Sequence, residues 1–476
     1  MVPPKRRVHG TGGAGVRSGI FIGLFCVIIW SSLLHAQSTP VVQNPAPTPP
    51  VAPSPSQETT VGKTIQPKPP IVVRLAVKDA EAIALKNNPA ISVARLDALA
   101  SQQVVREVRS NFWPQAYANV TAVDARNNSR ITAGALNNPI IYTRAAGGAT
   151  VSQLITDFGH TSNLLASARL QARADEQSAV ATKEDVLAAV DQAFYNAQQT
   201  HAVLRVAEQT VASRQLLADQ VSALTKSKLK SELDLSFANV NLAQAKLLYL
   251  DALNNDKAAI ASLSAILGYP TVGSFELVSD TEALAPPPAD VDPLIADAFA
   301  KRPEILALEF ESESAEKVHL ADRDQMFPTI SALAAYGDSP VRDDRVYGPY
   351  GAVGVNLQIP IFTGFRYSAQ SREAELRAQA MRQRLADLRN RISRDVRTAW
   401  LTASTAFDRV NVSQQLLGQA NLALDLAQTR YKLGLSSIVE LSQAQLQQTQ
   451  AEIGSAQAED EYRLALALLR YQTAGL

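Results

Sequence analysis

The sequence predicts a mainly α-helical chain with a small β part, laid out as two copies of a helix–strand–strand–long helix–helix unit. Three observations predict it. The chain repeats itself at a fixed offset. Its apolar spacing switches to a two-residue period after matched aromatic–proline pairs, and helical spacing then returns over long stretches free of proline. The 476 residues, 46% hydrophobic and 19% charged, are too many for one ordinary domain and too apolar for general disorder. With 45 basic and 45 acidic side chains, no bulk positive charge exists to bind nucleic acid. A single cysteine excludes a disulfide scaffold and any cysteine-rich metal site.

Residues 1–36 read as a secretory signal: Lys5, Arg6, Arg7 and Arg17 precede an apolar run over 19–34, and Ala36 is a small residue suited to cleavage. The alternative is a retained anchor, since the run approaches the roughly 17 residues that span a bilayer. Cleavage after Ala36 would remove four basic residues and Cys26, leaving a cysteine-free chain of net charge −4. Bulky Phe25 beside Cys26 argues against lipid attachment. Residues 37–72 read as a proline-rich tether, with ten of the 25 prolines falling in 40–70. Such a stretch is extended and buries no core. Gly62-Lys63-Thr64 ends like a phosphate-binding loop, but Gln57 stands where the first glycine is required.

The first repeat is assigned to 73–270, a linker to 271–291 and the second repeat to 292–476. Asn88-Pro89 recurs as Arg302-Pro303, and Trp113-Pro114 as Phe327-Pro328, so each copy places its two prolines 25 positions apart. Proline suits a helix's first position and disfavours helix in the residue before it. Asn88 is a natural N-cap. Each copy therefore predicts a helix of about 22–24 residues that stops at the aromatic–proline pair.

Beyond that pair Ala116, Ala118, Val120 and Ala122 alternate with Gln115, Tyr117, Asn119 and Thr121, and Ile330, Ala332 and Ala334 alternate with Thr329, Ser331 and Leu333. Polar loops are expected at about 125–147 and 337–349. The return strands are expected at 149–156, where Gln153 interrupts the apolar face, and around Val353, Val355, Leu357 and Ile359. Strands of this pattern suit a transmembrane β-barrel, or equally two soluble hairpins. Four strands cannot close a membrane barrel, so a barrel would have to be shared by more than one chain.

From residues 157 and 363 the offset becomes 206. Val190, Ala193, Phe194 and Ala197 then match Val396, Ala399, Trp400 and Ala403 in the i, i+3, i+4, i+7 pattern of a helix. No proline or glycine occurs from 160 to 225, which predicts a helix about 100 Å long. A second helix is expected in each copy, at roughly 231–267 and 437–473. The competing reading of such helices is a structural coiled coil of the cell envelope, but a filament would not be interrupted by strands or limited to two units.

With these residues in place, the chain resembles the TolC-like outer-membrane efflux family. The resemblance rests on the doubled proline units, the turns Asp157-Phe158-Gly159 and Phe362-Thr363-Gly364, and the segments 231–240 and 431–441. It implies a homotrimer whose strands form one outer-membrane barrel in contact with lipid and whose helices form a periplasmic tunnel. It further implies a passive export duct of a tripartite efflux or type I secretion system in a Gram-negative-type bacterium. Its partners would be a periplasmic adaptor and an inner-membrane pump of RND, ABC or MFS type. No enzyme activity, cofactor or metal is expected: His160, His201 and His319 are scattered, and no metal-binding motif occurs.

The family's entrance positions fall on Glu440 and Gln443, with Asp234 the first-copy counterpart of Glu440 and Tyr431 a hydrogen-bonding latch. Glu440 is either a pore-ring acid or a helix N-terminal acid stabilised by the dipole, worth about 0.3–1 kcal/mol. Adaptor contact is expected at the tips, through Gly434, Leu435, Ser436, Lys228 and Lys230, although the lysines also suit simple solvation. Trp113, Pro114, Phe327 and Pro328 are expected to mark the helix–strand joints at the membrane edge.

Overall fold

Pro89 and Pro303 each open a helix of 22 residues, because proline brings a helical φ to a position whose N–H needs no partner. The structure is a computed structural model, described here over residues 73–126, 143–273, 275–278, 284–342, 344 and 347–473. The expected signal segment, the proline-rich tether and the middle of the loop expected at 125–147 lie outside the described residues.

The first copy runs β1 (Val73–Leu75), α1 (Val77–Asn87), α2 (Pro89–Ser110), β2 (Gln115–Val123), β3 (Arg144–Thr156), α3 (His160–Lys226) and α4 (Glu232–Ile266). After β4 (Phe275–Leu277), the second runs α5 (Asp292–Lys301), α6 (Pro303–Asp324), β5 (Thr329–Arg342), β6 (Pro349–Gln358), α7 (Arg366–Lys432) and α8 (Ile438–Gln472). Helices α3 and α7 both have 67 residues, and α4 and α8 both have 35. The duplication in sequence is thus a duplication of structure.

Asn88 caps α2 by accepting from the Ala90 N–H at 2.9 Å, and its amide donates to the Ile266 carbonyl at 2.9 Å, tying the start of α2 to the end of α4. Its counterpart Arg302 makes no cap. It forks onto Glu304 at 2.7 and 3.2 Å and donates to Gln472 at 2.6 Å, which ties the start of α6 to the end of α8 by charge instead.

The four long strands form one antiparallel sheet in the order β2-β3-β5-β6. Strands β3 and β5 outrun the loops expected at 125–147 and 337–349, beginning at Arg144 and reaching Arg342. The reason is mutual pairing: each has partners on both sides, and Gly148 opposes Gly337 in their shared ladder. Tyr350 explains those glycines, since a Cβ at either position would fall on its side chain. Gln153, which spoils the apolar alternation, donates to the carbonyl of Phe112 at 2.9 Å and so satisfies the chain just beyond α2.

Strand gives way to long helix through two successive residues of positive φ in each copy: Phe158 (55°) and Gly159 (122°), then Gly364 (61°) and Phe365 (63°). Asp157 accepts from the Thr161 N–H at 2.8 Å and caps the first turn of α3.

Three features lie beyond the sequence expectation. Helix α1 buries Ala80 and Ala84 against Val190, Phe194, Leu263 and Leu267. Helix α5 buries Ile295 and Ala298 against Ile392 and Val396. Strand β4, within the segment taken as linker, pairs in parallel with β1. The rest of that segment is held by Trp400, whose indole donates to the Pro288 carbonyl at 2.7 Å, and by Tyr462, whose hydroxyl donates to the Ala285 carbonyl. Among the described residues no helix is long and apolar enough to cross a membrane.

Candidate functional site

Register divides the sheet into two chemically distinct faces. Ala118 opposes Ala149, Val151 opposes Ala334, Ala332 opposes Val355 and Ile330 opposes Leu357, so the apolar set shares one face. Gln115, Thr150, Ser152, Ser331, Asn356 and Gln358 share the other. Strands β2 and β6 each pair on one side only, leaving two open edges among the described residues. Three antiparallel steps separate them, so they run in opposite directions and each matches a copy of the other.

The joints between sheet and helices fall at the aromatic–proline pairs. Helix α2 ends at Ser110 and β2 begins at Gln115, beyond Trp113 and Pro114. Helix α6 ends at Asp324 and β5 begins at Thr329, beyond Phe327 and Pro328. Trp113 and Phe327 are exposed. The two copies meet here: the Asn163 amide donates to buried Asp324 at 2.8 Å, His160 Nδ1 lies 2.8 Å from the Ala321 carbonyl, and the rings of Phe158 and Phe327 are 6.3 Å apart.

At the opposite ends the long helices turn back in two hairpin tips with one backbone plan. In each, the last turn closes with crossed bonds: Leu229 N–H to the Leu224 carbonyl at 2.9 Å, and Leu435 N–H to the Arg430 carbonyl at 2.8 Å. The residue of positive φ in this motif is Lys228 (55°) in one tip and Gly434 (74°) in the other. Leu229 and Leu435 follow, both exposed. Ser231 and Ser437 then cap α4 and α8.

The side chains at the tips differ. Asp234 completes a capping box, accepting from the Ser231 N–H at 3.2 Å. Glu440 instead pairs with Arg430 across the turn at 3.2 Å. Gln443 is exposed. Tyr431 is buried with Ala427, Ile438, Leu441 and Ala444, and its hydroxyl has no hydrogen-bond partner among the described residues, so the hydrogen bond expected of it as a latch is not formed. Lys230 Nζ stands 3.9 Å from the centre of the Tyr431 ring, linking the two hairpins. Burial, and then the charge of Asp234, push the Tyr431 hydroxyl above its ordinary pKa. Asn241 donates to Ser442 at 2.6 Å, a second link between hairpins. Ser436 Oγ is buried and unpartnered.

Sequence reasoning missed Arg430, Asn241 and the buried Arg214, which donates to Thr449 at 3.4 Å. It also missed Asp191, buried on α3 near Glu81 of α1 and Arg470 of α8. The available signal was a break in the repeat: at an offset of 206, Arg214 faces Ala420, Asp191 faces Arg397 and Arg430 faces Leu224. Among the described residues no group of His, Cys, Asp and Glu could hold a metal ion.

An antiparallel sheet with one apolar face and two open edges, continued by long paired helices, defines an outer-membrane channel fold. The family model for the outer membrane efflux protein matches residues 82–269 and 294–475, one match per copy, and the chain belongs to that family. The outer membrane efflux protein BepC of Brucella suis is 24% identical over 389 residues, 80% of this chain and 81% of that protein. Outer membrane protein OprJ of Pseudomonas aeruginosa is 25% identical over 398 residues, 81% of each chain. The crystal structure of the Campylobacter jejuni CmeC outer membrane channel superposes with a TM-score of 0.74 at 16% identity, covering 90% of this chain and 94% of that one. The family is one of channel proteins and not of enzymes, and this chain is an outer-membrane protein with a periplasmic helical tunnel.

Proposed function

We propose that three copies of this chain form one export duct, coupled through a periplasmic adaptor to an inner-membrane pump of RND, ABC or MFS type. One observation carries the reading. Helix α3 is flanked by α4 and α8, whereas α7 packs on α8 and, among the described residues, has no second hairpin helix packed beside it. Repeat equivalence turns the α3–α8 seam within one chain into a seam between α7 of one copy and α4 of the next. Val412 and Leu416 on α7 are exposed where their counterparts Val206 and Thr210 are buried, and Asn239 and Ala243 on α4 are exposed where their counterparts Gln445 and Thr449 are buried. The open β2 and β6 edges demand the same head-to-tail closure, because lipid cannot satisfy unpaired backbone groups. Three copies of the four-strand sheet give twelve strands, roughly enough to enclose a channel.

The gate in this reading is at the tips. A closed barrel cannot constrict without breaking ladders, while packed hairpins can part. Tyr431, Glu440, Gln443 and Asp234 surround the entrance, and the Lys230–Tyr431 and Asn241–Ser442 contacts hold the two hairpins together. Exposed Leu229 and Leu435, beside Lys228, Lys230, Gly434 and Ser436, suit docking of adaptor hairpins.

The Arg214–Thr449 contact within a chain maps to Ala420 and Ala243 between copies. Cysteines at Ala243 and Ala420 should cross-link into a trimer, and the purified protein should conduct in planar bilayers. Cross-linking that stops at dimers, or a protein silent in bilayers, would overturn the reading.

A further inference from the structure

The α3–α8 seam changes character a short distance above the tips. At the tip Leu217 joins Tyr431, Ile438, Leu441 and Ala444 in an apolar cluster. The next layer holds Arg214, Gln445 and Thr449, which are 8%, 3% and 7% exposed. This layer lies about 18 Å from the end of α3, at 1.5 Å per residue. Arg214 donates to Thr449 Oγ1 at 3.4 Å, and Thr449 in turn donates to the Gln445 carbonyl at 3.0 Å. No carboxylate pairs with Arg214 among the described residues. Burial alone pulls its pKa down to about 10, so the guanidinium still carries its charge near neutral pH. Gln445 Oε1 is also buried and accepts nothing.

The second copy has no such layer. At an offset of 206, Ala420 stands for Arg214, Ala243 for Thr449 and Asn239 for Gln445. The equivalent seam between copies is therefore small and uncharged at the level where the seam within a chain encloses a cation. Arg214 is enclosed by its own chain before any neighbouring copy is added.

We propose that Arg214 is a gating residue: a buried cation without a counter-charge that keeps the seam between the two hairpins of one chain metastable, so that parting α8 from α3 is favoured by rehydration of the guanidinium. An enclosed charge with no partner opposes the packed state and is relieved when water reaches it. Tyr431 Oη, Ser436 Oγ and Gln445 Oε1 act in the same direction, since all three are buried without partners on the α7–α8 hairpin. Their desolvation cost is likewise recovered when the hairpins separate. The inference rests on the reading of the chain as a duct gated at its tips.

The test uses the purified full-length protein in planar bilayers, with trimer formation and helicity checked for each variant. Arg214→Met keeps the unbranched stem of the side chain and removes its charged head, and should lower open-state occupancy roughly tenfold or more. Arg214→Lys should stay near wild type. Thr449→Glu supplies a counter-charge and should also close the duct, whereas Arg214→Met with Thr449→Glu leaves a lone buried carboxylate and should reopen it. Unchanged or increased opening in Arg214→Met overturns the proposal. If that variant does not assemble, unchanged opening in Thr449→Glu overturns it instead. A wild-type protein that never conducts sinks the duct reading; Arg214 is then judged by amide exchange in α8, which must slow in Arg214→Met for the metastable seam to stand.

Discussion

Helices α3 and α7 match at an offset of 206 over equal lengths, yet positions buried in one are bare in the other. Val206 is 6% exposed and its counterpart Val412 is 63% exposed. Tyr195 and Thr210 are buried, while Leu401 and Leu416 are exposed. The backbone cannot account for this, because both helices have the same form and the same partner in their own hairpin. The difference lies in the second neighbour, which α3 finds in α8 and α7 lacks among the described residues. Apolar surface left open in this way on one of two equivalent helices marks an interaction surface, which the proposed trimer would cover with another copy.

The sharpest way to break that comparison is to place the same charge at both positions. Val206→Glu buries a carboxylate in the chain's own core and should cost about 3–5 kcal/mol, enough to prevent folding. Val412→Glu should leave the helicity of the single chain intact and abolish the trimer, read by circular dichroism and by light scattering in detergent. Trimers that survive Val412→Glu would remove α7 from the interface.

A second contrast concerns how each copy clasps its short helix. Arg397 on α7 holds α5 through an ion pair with Asp292 at 3.1 Å. The matching Asp191 on α3 is buried facing Glu81 of α1, with Arg470 of α8 the opposing cation. Burial first, and then the neighbouring Glu81, push the Asp191 carboxyl up to about 7. The folded chain thus holds this proton more tightly than the unfolded chain. Stability falls as pH rises from about 4 to about 7 and is level above that. The α1 clasp should be weaker at about pH 8 than at about pH 5, by on the order of 2 kcal/mol. Amide exchange in α1, corrected for the intrinsic rate, should report it, with α5 as the internal control. Asp191→Asn should erase the difference; a pH effect that persists in that variant assigns it elsewhere.

The tips offer a smaller and reciprocal test. Lys228 holds a positive φ that costs a side-chain-bearing residue about 1–2 kcal/mol, while Gly434 holds the same conformation freely. A Cβ at Gly434 would meet nothing within 4 Å, so backbone strain alone is at stake. Lys228→Gly should slow opening of the first tip, and Gly434→Lys should quicken opening of the second by a similar factor, as read by exchange of the tip amides. Equal exchange in both variants would mean that contacts between hairpins, and not the turns, set tip stability.

These contrasts show what a sequence of this kind reveals and what it conceals. Helix ends at Pro89, Pro303, Ser231 and Ser437 were legible because capping and proline geometry are local. The sheet was legible in outline, but Gln153 read as a flaw because its partner, the Phe112 carbonyl, is 41 positions away. The lengths of β3 and β5 depend on pairing between the copies and on Tyr350 lying over Gly148 and Gly337, which no local pattern records. Helices α1 and α5 are short and gain their burial from the long helices, so their own periodicity was a weak signal. At the tips, the positions of Asp234 and Glu440 were legible and their partners were not.

That last pair gives the smallest expected effect. Asp234 and Glu440 occupy one repeat position, but Asp234 turns inward to its capping box while Glu440 reaches Arg430. An exposed ion pair of this kind is worth under about 1 kcal/mol, so Glu440→Ala should barely alter stability. Its consequence is electrostatic. In the proposed trimer the carboxylate would recur around the entrance with Arg430 of its own copy beside it, so the ring would attract cations less than unpaired acids do. Glu440→Ala should therefore shift the reversal potential in a salt gradient by a small step away from cation preference. Arg430→Ala should shift it further toward cations by freeing the carboxylate. Asp234→Ala, which removes the acceptor of its capping box, should loosen the first tip by about 1 kcal/mol and shift the reversal potential no more than Glu440→Ala does. If Glu440→Ala and Arg430→Ala both leave the potential where it was, the pair serves the turn alone and the narrowest charged ring must be sought elsewhere.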